Sequence, residues 1–334
     1  MTPTEENVQT NEKEALQNYN YEIVGKPLQI LSAPDVWAPY SAKEMMTFLI
    51  EYGYLEAIQG FTVLDLGTGS GIIGIMCGLL GAKQVTLTDY CHSAVNLALK
   101  NAHINGVAQA EAIDSDRFVA LEGKTFDLII SNPPVQPWLF TDLEHTEARI
   151  NSAAWNEAGA DGRLVLDSLL KEGNLFLTEK GTMIFSCSTR HGHRYTTQLL
   201  DEHWTNNWQQ IYAAEHTIDH SYHEPYIPTW LHLQTLDFDL RIYQKDLNGK
   251  HYAYYEQNQE KFYITTYFDT LAEEEVAVKM LINDDECYVL NQKGETLEIL
   301  PITHEAIPKM NAEDNEWYYV YYLIRAVKND NAEI

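Results

Sequence analysis

Val63-Leu64-Asp65-Leu66-Gly67-Thr68-Gly69-Ser70-Gly71 runs from a short apolar stretch into three glycines spaced two apart, and an apolar helical pattern follows from Ile72 to Leu80. The apolar stretch, Phe61 to Leu66, reads as a buried strand, and the segment after the glycines reads as a helix that stops at Gly81. A strand, a glycine turn and a helix start make a place where a ligand meets bare backbone and free helix-terminal N–H groups. The spacing is G-x-G-x-G, whereas loops that hold a dinucleotide's pyrophosphate read G-x-G-x-x-G. The difference favours a nucleoside-bearing ligand whose other end carries a carboxylate and an ammonium. Asp65 is placed to serve that ammonium, directly or through water.

Strand and helix patterns alternate outward from this stretch. Gln84–Thr88 reads as a strand and His92–Ile104 as a helix closed by Asn105-Gly106. Ala110–Ile113 and Phe126–Ile130 read as strands, Asp161–Leu177 as a helix and Thr182–Cys187 as a further buried strand. Upstream, Val36–Tyr54 suits an amphipathic helix with Ser41 as its N-cap, preceded by a polar, acidic and frayed start. Alternation of this kind predicts a mostly parallel sheet covered on both faces. After about residue 245 the texture becomes strand-like and rich in tyrosine, with 18 acidic and 8 basic residues between 245 and 334. Three parts are expected: an N-terminal helical segment (1–55), a ligand-binding α/β domain (56–245) and an acidic, tyrosine-rich β domain (246–334).

A second motif, Ser131-Asn132-Pro133-Pro134, follows the strand Phe126–Ile130. Asn132 offers an amide oxygen and Pro133 a backbone carbonyl, and the prolines leave the turn few competing conformers. Two acceptors side by side suit an amide or amine nitrogen, whose two N–H groups they hold while positive charge grows on it. Asp89 ends the strand Gln84–Thr88 and is placed to accept from a ribose's hydroxyls. Asp114-Ser115-Asp116 follows the third strand, and Asp116 is placed to accept from an adenine amino group.

Taken together, these residues resemble class I S-adenosylmethionine-dependent methyltransferases, and within them the release-factor glutamine methyltransferase family, whose catalytic turn reads Asn-Pro-Pro-Tyr. Val63–Gly71, Asp89 and Ser131–Pro134 carry the resemblance. Three further segments support it. Val36-Trp37-Ala38-Pro39-Tyr40-Ser41-Ala42-Lys43-Glu44 resembles the family's V-x-x-P-R-P-D-T-E, keeping Val36, Pro39 and Glu44. Ser115-Asp116-Arg117-Phe118 resembles the segment with the adenine-facing acid. Ala158-Gly159-Ala160-Asp161-Gly162 followed by Leu166 resembles the family's G-x-D-G helix start. The resemblance spans roughly residues 34–190.

It implies a Rossmann-like, mostly parallel seven-stranded sheet with helices on both faces, and S-adenosyl-L-methionine as cofactor. Cofactor contacts are implied at Asp65, Gly67, Thr68, Gly69, Gly71, Asp89, Tyr90, Asp116 and Asn132, and catalysis at Asn132, Pro133 and Pro134. Acceptor contacts are expected at Tyr40, Val135, Trp138 and His223. Val135 stands where the family places an aromatic residue that stacks on the planar target, and Trp138 or Phe140 can supply a face from the same loop. The reaction implied is methyl transfer to an amide or amine nitrogen of a protein, peptide or small molecule. The alternatives are an oxygen, sulfur or carbon of a small metabolite, with His191, His193, His220 or His223 as base, and the nitrogen of an adenine or guanine. A cofactor-binding interaction module without catalysis is the reading outside enzymology.

Composition narrows the partners. The 334 residues carry a formal net charge of −27, which weighs against a broad phosphate-tracking surface. The four cysteines show no metal-type spacing, and the histidines lack a ligand set, so no metal is expected. No signal-peptide pattern and no run of about 18 apolar residues are seen, which points to a cytoplasmic protein that neither spans nor anchors in a membrane. The C-terminal β domain is a possible oligomer contact.

Overall fold

A computed structural model of the chain describes residues 16–33, 36, 40–137, 158–205, 207–218, 230, 233, 240, 243–245, 251–257, 260–264, 279–283, 286–290, 296–301 and 316–328. An antiparallel hairpin, β1 (Gln17–Ile23) and β2 (Lys26–Ser32), precedes helix α1 (Tyr40–Glu51). Next come β3 (Thr62–Leu66), α2 (Ile72–Leu79), β4 (Gln84–Asp89), α3 (His92–Ile104), β5 (Ala110–Asp114) and β6 (Phe126–Ser131). Helix α4 (Leu164–Glu172), β7 (Leu177–Ser188), α5 (His193–Trp204) and β8 (Trp208–Thr217) follow. The remaining strands are β9 (Tyr243–Lys245), β10 (His251–Gln257), β11 (Glu260–Ile264), β12 (Lys279–Asn283), β13 (Glu286–Leu290), β14 (Thr296–Pro301) and β15 (Glu316–Val327).

The central sheet has the order β5-β4-β3-β6-β7-β15-β8. Strands β3 to β7 are parallel to their neighbours, and β15 is antiparallel to both β7 and β8. This is the expected mostly parallel seven-stranded sheet. One face packs on α1, α2 and α3 through Met45, Met46, Leu49, Ile72, Ile75, Met76, Ala98 and Ala102. The other packs on α4 and α5 through Leu166, Leu169, Leu170, Leu199, Leu200 and Trp204. Burial on both faces explains why the inner strands are continuous apolar runs rather than alternating ones.

The order of strands reverses at β3. From β3 the chain moves outward through β4 to β5, then returns to lay β6 on β3's other side. Ligands of open α/β sheets bind in the crevice that such a reversal leaves beyond the carboxyl ends of the strands. Here that crevice separates the glycine loop after β3 from the Asn-Pro-Pro turn after β6.

Two boundaries differ from expectation. Glu316–Val327 is not part of a separate C-terminal unit, because it is the seventh strand of the central sheet, hydrogen-bonded between β7 and β8. Its tyrosines share the texture of the preceding segment, but Tyr318–Leu323 are buried because helices cover both faces there. Strands β9–β14 are therefore an insertion between β8 and β15, and β9 pairs with the first residues of β15. The expected helical N-terminus also contains the β1–β2 hairpin, whose alternating burial is that of an edge ribbon.

The hairpin is held by two asparagines one helical turn apart on α3. Asn105 pairs with Gln29 in both directions (Gln29 N to Oδ1 2.9 Å, Nδ2 to Gln29 O 2.8 Å). Asn101 does the same with Leu31 (2.9 and 2.8 Å) and also donates to Ser70 O at 2.8 Å. Side chains four apart share a helix face, and alternate residues of a strand share an edge, so two amides stand in for a neighbouring strand. Through Asn101 the hairpin is tied to the glycine loop.

Candidate active site

Gly67, Gly69 and Gly71 have φ of 73°, 52° and 88°, a left-handed path that L side chains resist. The loop is pinned by Gly67 N and Thr68 N, which both donate to Thr88 O at 2.9 and 2.8 Å. A Cβ on Gly71 would lie 3.1 Å from the Ala98 backbone of α3, so the third glycine is also a close approach. Val36, from the upstream segment, is buried with Ala94 and Leu97 and sits beside Gly69.

Asp65 is fully buried under this loop. Its Oδ2 accepts from Thr68 Oγ1 at 2.7 Å and from Gly74 N at 2.9 Å. Its Oδ1 is buried and has no hydrogen-bond partner among the described residues. Burial raises the carboxyl to about 6, against the hydrogen bonds from Thr68 and Gly74 that lower it. An orphaned carboxylate oxygen beside bare backbone fits an ammonium, or a water that an ammonium holds.

The raised value fixes a sign. Asp65 is easier to protonate folded than unfolded, so its contribution is fully present below about pH 4 and is lost as pH rises through about 6. The stability of the wild type minus that of Asp65→Asn is expected to fall by up to about 3 kcal/mol between pH 4 and 7. Urea unfolding of both proteins at the two pH values measures it, and a flat difference would show that Asp65 is not held as described.

Asp89, at the end of β4, accepts from Gly69 N through Oδ2 and from Cys91 N through Oδ1, both at 2.9 Å. Burial raises its carboxyl, and these amides oppose the shift. Each oxygen retains a second lone pair, so the side chain shapes the loop and still has acceptors left for a ligand's hydroxyls. Tyr90 beside it is 68% exposed, an open aromatic face at the rim of the crevice. Asp116 is engaged differently: it pairs side on with Arg117 through two 2.8 Å bonds, and the guanidinium holds its carboxyl below the usual range.

The second motif touches the first. Ser131 Oγ donates to Leu66 O at 2.7 Å, and Pro134 Cδ lies 3.8 Å from where a Cβ on Gly67 would be. Asn132 Oδ1 accepts from Ser186 Oγ of β7 at 2.7 Å. The turn continues through the half-buried Val135 to Gln136 and Pro137, both buried. Ala158 N donates to Gln136 O at 2.8 Å, bringing the Ala158–Gly162 segment under the turn. Gly162, φ 76°, packs so closely that a Cβ would sit 2.4 Å from Val135 O. This left-handed residue, with Arg163 N bonded to Asp161 Oδ1, is why α4 begins at Leu164 and not at Asp161.

His191 is buried with Nδ1 accepting from Ser188 N at 2.9 Å, and its Nε2 is buried without a hydrogen-bond partner among the described residues. Burial, Arg190 and Arg163 hold the ring neutral, well below the ordinary histidine range. A neutral ring with Nδ1 committed to Ser188 N and Nε2 buried is poorly placed as a base. Tyr40 opens α1 and His193 opens α5, with side chains outside the described residues, as are Trp138, His220 and His223. Among the described residues no cluster of three metal-binding side chains occurs, and no helix is long and apolar enough to cross a membrane. Asn101, Ser186, the Ser131 bond to Leu66 and Gly162's contact with Val135 were the site features hidden from the sequence, since each depends on a neighbour from a distant element.

Residues 28–168 match the family model described as the methyltransferase small domain. The chain is 32% identical over 179 residues to a putative protein N5-glutamine methyltransferase of Methanocaldococcus jannaschii, covering 54% of this chain and 84% of that protein. It is 36% identical over 125 residues to a ribosomal protein uL3 glutamine methyltransferase of Francisella tularensis, covering 37% of this chain and 40% of the relative. It is also 39% identical over 147 residues to a ribosomal RNA small subunit methyltransferase C of Haemophilus influenzae, covering 43% of each. The chain thus spans less than half of the last two relatives. All three alignments are shorter than the chain.

Proposed function

The chain belongs to the methyltransferase small-domain family and is an S-adenosylmethionine-dependent methyltransferase, and from that premise we propose that it methylates an amide or amine nitrogen on a protein or peptide. One observation carries this reading: the Asn132-Pro133-Pro134 turn abuts the glycine loop across the crevice, with Ser131 bonded to Leu66. Two acceptor oxygens stand where a nucleophilic nitrogen has to be held. When bound, the cofactor supplies an electrophilic methyl group on a sulfonium.

The chain's own residues do the rest. The backbone of Gly67–Gly71 and the orphaned oxygen of Asp65 hold the amino-acid end of the cofactor. Asp89 takes the ribose, with Tyr90 at the rim. Thr68 supports the loop through Asp65. Asp116 is assigned to the adenine amino group through the lone pairs that Arg117 leaves. Asn132 Oδ1 and the Pro133 carbonyl accept the two N–H groups of the acceptor, orient its lone pair and stabilise the charge that grows as the new bond forms. The resulting cation gives its proton to water. Pro134 keeps the turn against the glycine loop, and Val135 lines the acceptor side. Tyr40, Trp138 and His223 are carried over from the sequence as proposed acceptor contacts, and their side chains lie outside the described residues.

Protein acceptors fit two facts. The relatives named for glutamine methylation include one of which this chain covers 84%. The strands inserted between β8 and β15 emerge at the carboxyl edge, and residues 245–334 have 18 acidic and 8 basic side chains, which favours a basic protein over a phosphate backbone. A cytoplasmic acceptor goes with this reading. The RNA relative favours a base nitrogen as the second reading. Incubation of the protein with tritiated S-adenosylmethionine and a cell extract, followed by separate nuclease and protease digestion, decides between them. Protease-sensitive label is expected; label removed by nuclease alone would replace the first reading with the second.

A further inference from the structure

A row of polar side chains crosses the carboxyl edge of the sheet on one face. It runs from Asn132 after β6 to Ser186 on β7, Tyr321 on β15 and His216 on β8, with Glu44 of α1 at its end. Ser186, 2% exposed, donates from Oγ to Asn132 Oδ1 at 2.7 Å. Tyr321 is buried on the same face, because it pairs with Ser188, two residues from Ser186. Its ring stacks on His216 at 4.7 Å and 8°, and His216 Nε2 lies 3.1 Å from Glu44 Oε1.

We propose that Ser186 is a positioning residue for methyl transfer, holding the Asn132 side chain so that its amide oxygen serves the acceptor nitrogen. The inference rests on the role given to Asn132 above. The two ends of an asparagine amide are nearly isosteric but opposite in function. Turned round, Asn132 would aim N–H groups at a nitrogen that is becoming positive. A hydroxyl by itself does not choose, since it accepts as readily as it donates. Tyr321 supplies the choice. Its phenol is buried and makes no hydrogen bond among the described residues, and Ser186 is the neighbouring side chain that opposes the upward push of burial on its pKa. Leaving a buried phenolic proton without an acceptor costs about 1–3 kcal/mol. A small approach of the phenol would give its O–H to Ser186 Oγ and so commit the Ser186 O–H to Asn132 Oδ1, the bond that stands at 2.7 Å. Ser186 engages one lone pair of Oδ1, and an amide oxygen carries two.

The test needs no knowledge of the acceptor. Sinefungin carries a protonated amine where the cofactor carries its methylated sulfur, so its affinity relative to S-adenosylhomocysteine reports on the oxygens that receive N–H groups. Calorimetry with the full chain is expected to show wild type favouring sinefungin by about tenfold, the scale of a charge-assisted hydrogen bond. Asn132→Ala is expected to abolish that preference. Ser186→Ala is expected to cut it by about three- to tenfold while S-adenosylhomocysteine binds within about twofold of wild type, and Ser186→Thr to restore it. If Ser186→Ala binds neither ligand, Tyr321→Phe carries the test, with at least a twofold loss expected (about 0.4 kcal/mol). An intact preference in Ser186→Ala, or in Tyr321→Phe where that variant decides, overturns the positioning role and leaves Asn132 in place. No preference in wild type, and none lost in Asn132→Ala, overturns both.

Discussion

Asn132→Ala is expected to lower methyl transfer by about 10²–10³-fold while S-adenosylmethionine binds within about threefold of wild type. The asymmetry follows from when the contact matters. In the role proposed for it, Asn132 Oδ1 meets an acceptor nitrogen that is nearly neutral at first and cationic once the bond to carbon has formed. An oxygen already in place, fixed by Ser186 at 2.7 Å and by a two-proline turn, gains most at the moment of transfer. On the proposed reading the cofactor is held chiefly elsewhere, by the loop of left-handed glycines and by Asp65 and Asp89. Single-turnover rates with saturating cofactor, beside calorimetric binding, separate the two quantities. Equal losses in rate and affinity would mean that Asn132 holds the cofactor and does not act on the acceptor.

Gly162→Ala is expected to destabilise the protein by about 2–4 kcal/mol and to abolish most of its activity. Two costs combine. The residue has φ 76°, where a side chain is strained by about 1–2 kcal/mol. The new Cβ would lie 2.4 Å from Val135 O and 3.2 Å from Pro137 N, and backbone cannot swing aside as a flexible side chain does. Relief comes only by moving the Val135–Pro137 segment, which is continuous with Pro133 and Pro134. Urea unfolding with the cofactor absent gives the stability change. A loss below about 1 kcal/mol would show that the turn is not seated on Gly162 as described.

The parallel sheet was legible because its parts are local. The β3–glycine–α2 unit, α3 with its Asn105-Gly106 stop, and the strands β4 and β6 each carry their own periodicity and punctuation. The meeting of the Asn132 turn with the glycine loop was legible because their order along the chain matched the order in which a doubly wound sheet delivers loops to its switch point. Strand β15 was misassigned because nothing local distinguishes Glu316–Val327 from the tyrosine-rich strands before it; only its return between β7 and β8 does. The hairpin β1–β2 was hidden in a polar segment whose pairing depends on Asn101 and Asn105, some 70 residues away. Asp89 and Asp116 were readable as acids at strand ends. Their bonds to Gly69, Cys91 and Arg117 were not, because a carboxylate's partners are fixed by tertiary approach. The same holds for Ser186, an unremarkable strand serine until β6 is laid beside β7.

The bond that receives the methyl group is the most direct measure of the central claim. Protein labelled by the wild-type chain with tritiated S-adenosylmethionine is hydrolysed, and the released methyl species are identified. Methylation of an amide nitrogen gives volatile methylamine after strong acid, and methylation of an amine gives an N-methyl amino acid; one of these is expected, and neither is expected from Asn132→Ala. Label released as methanol by mild alkali, or retained on sulfur or carbon, would contradict a site built to hold nitrogen.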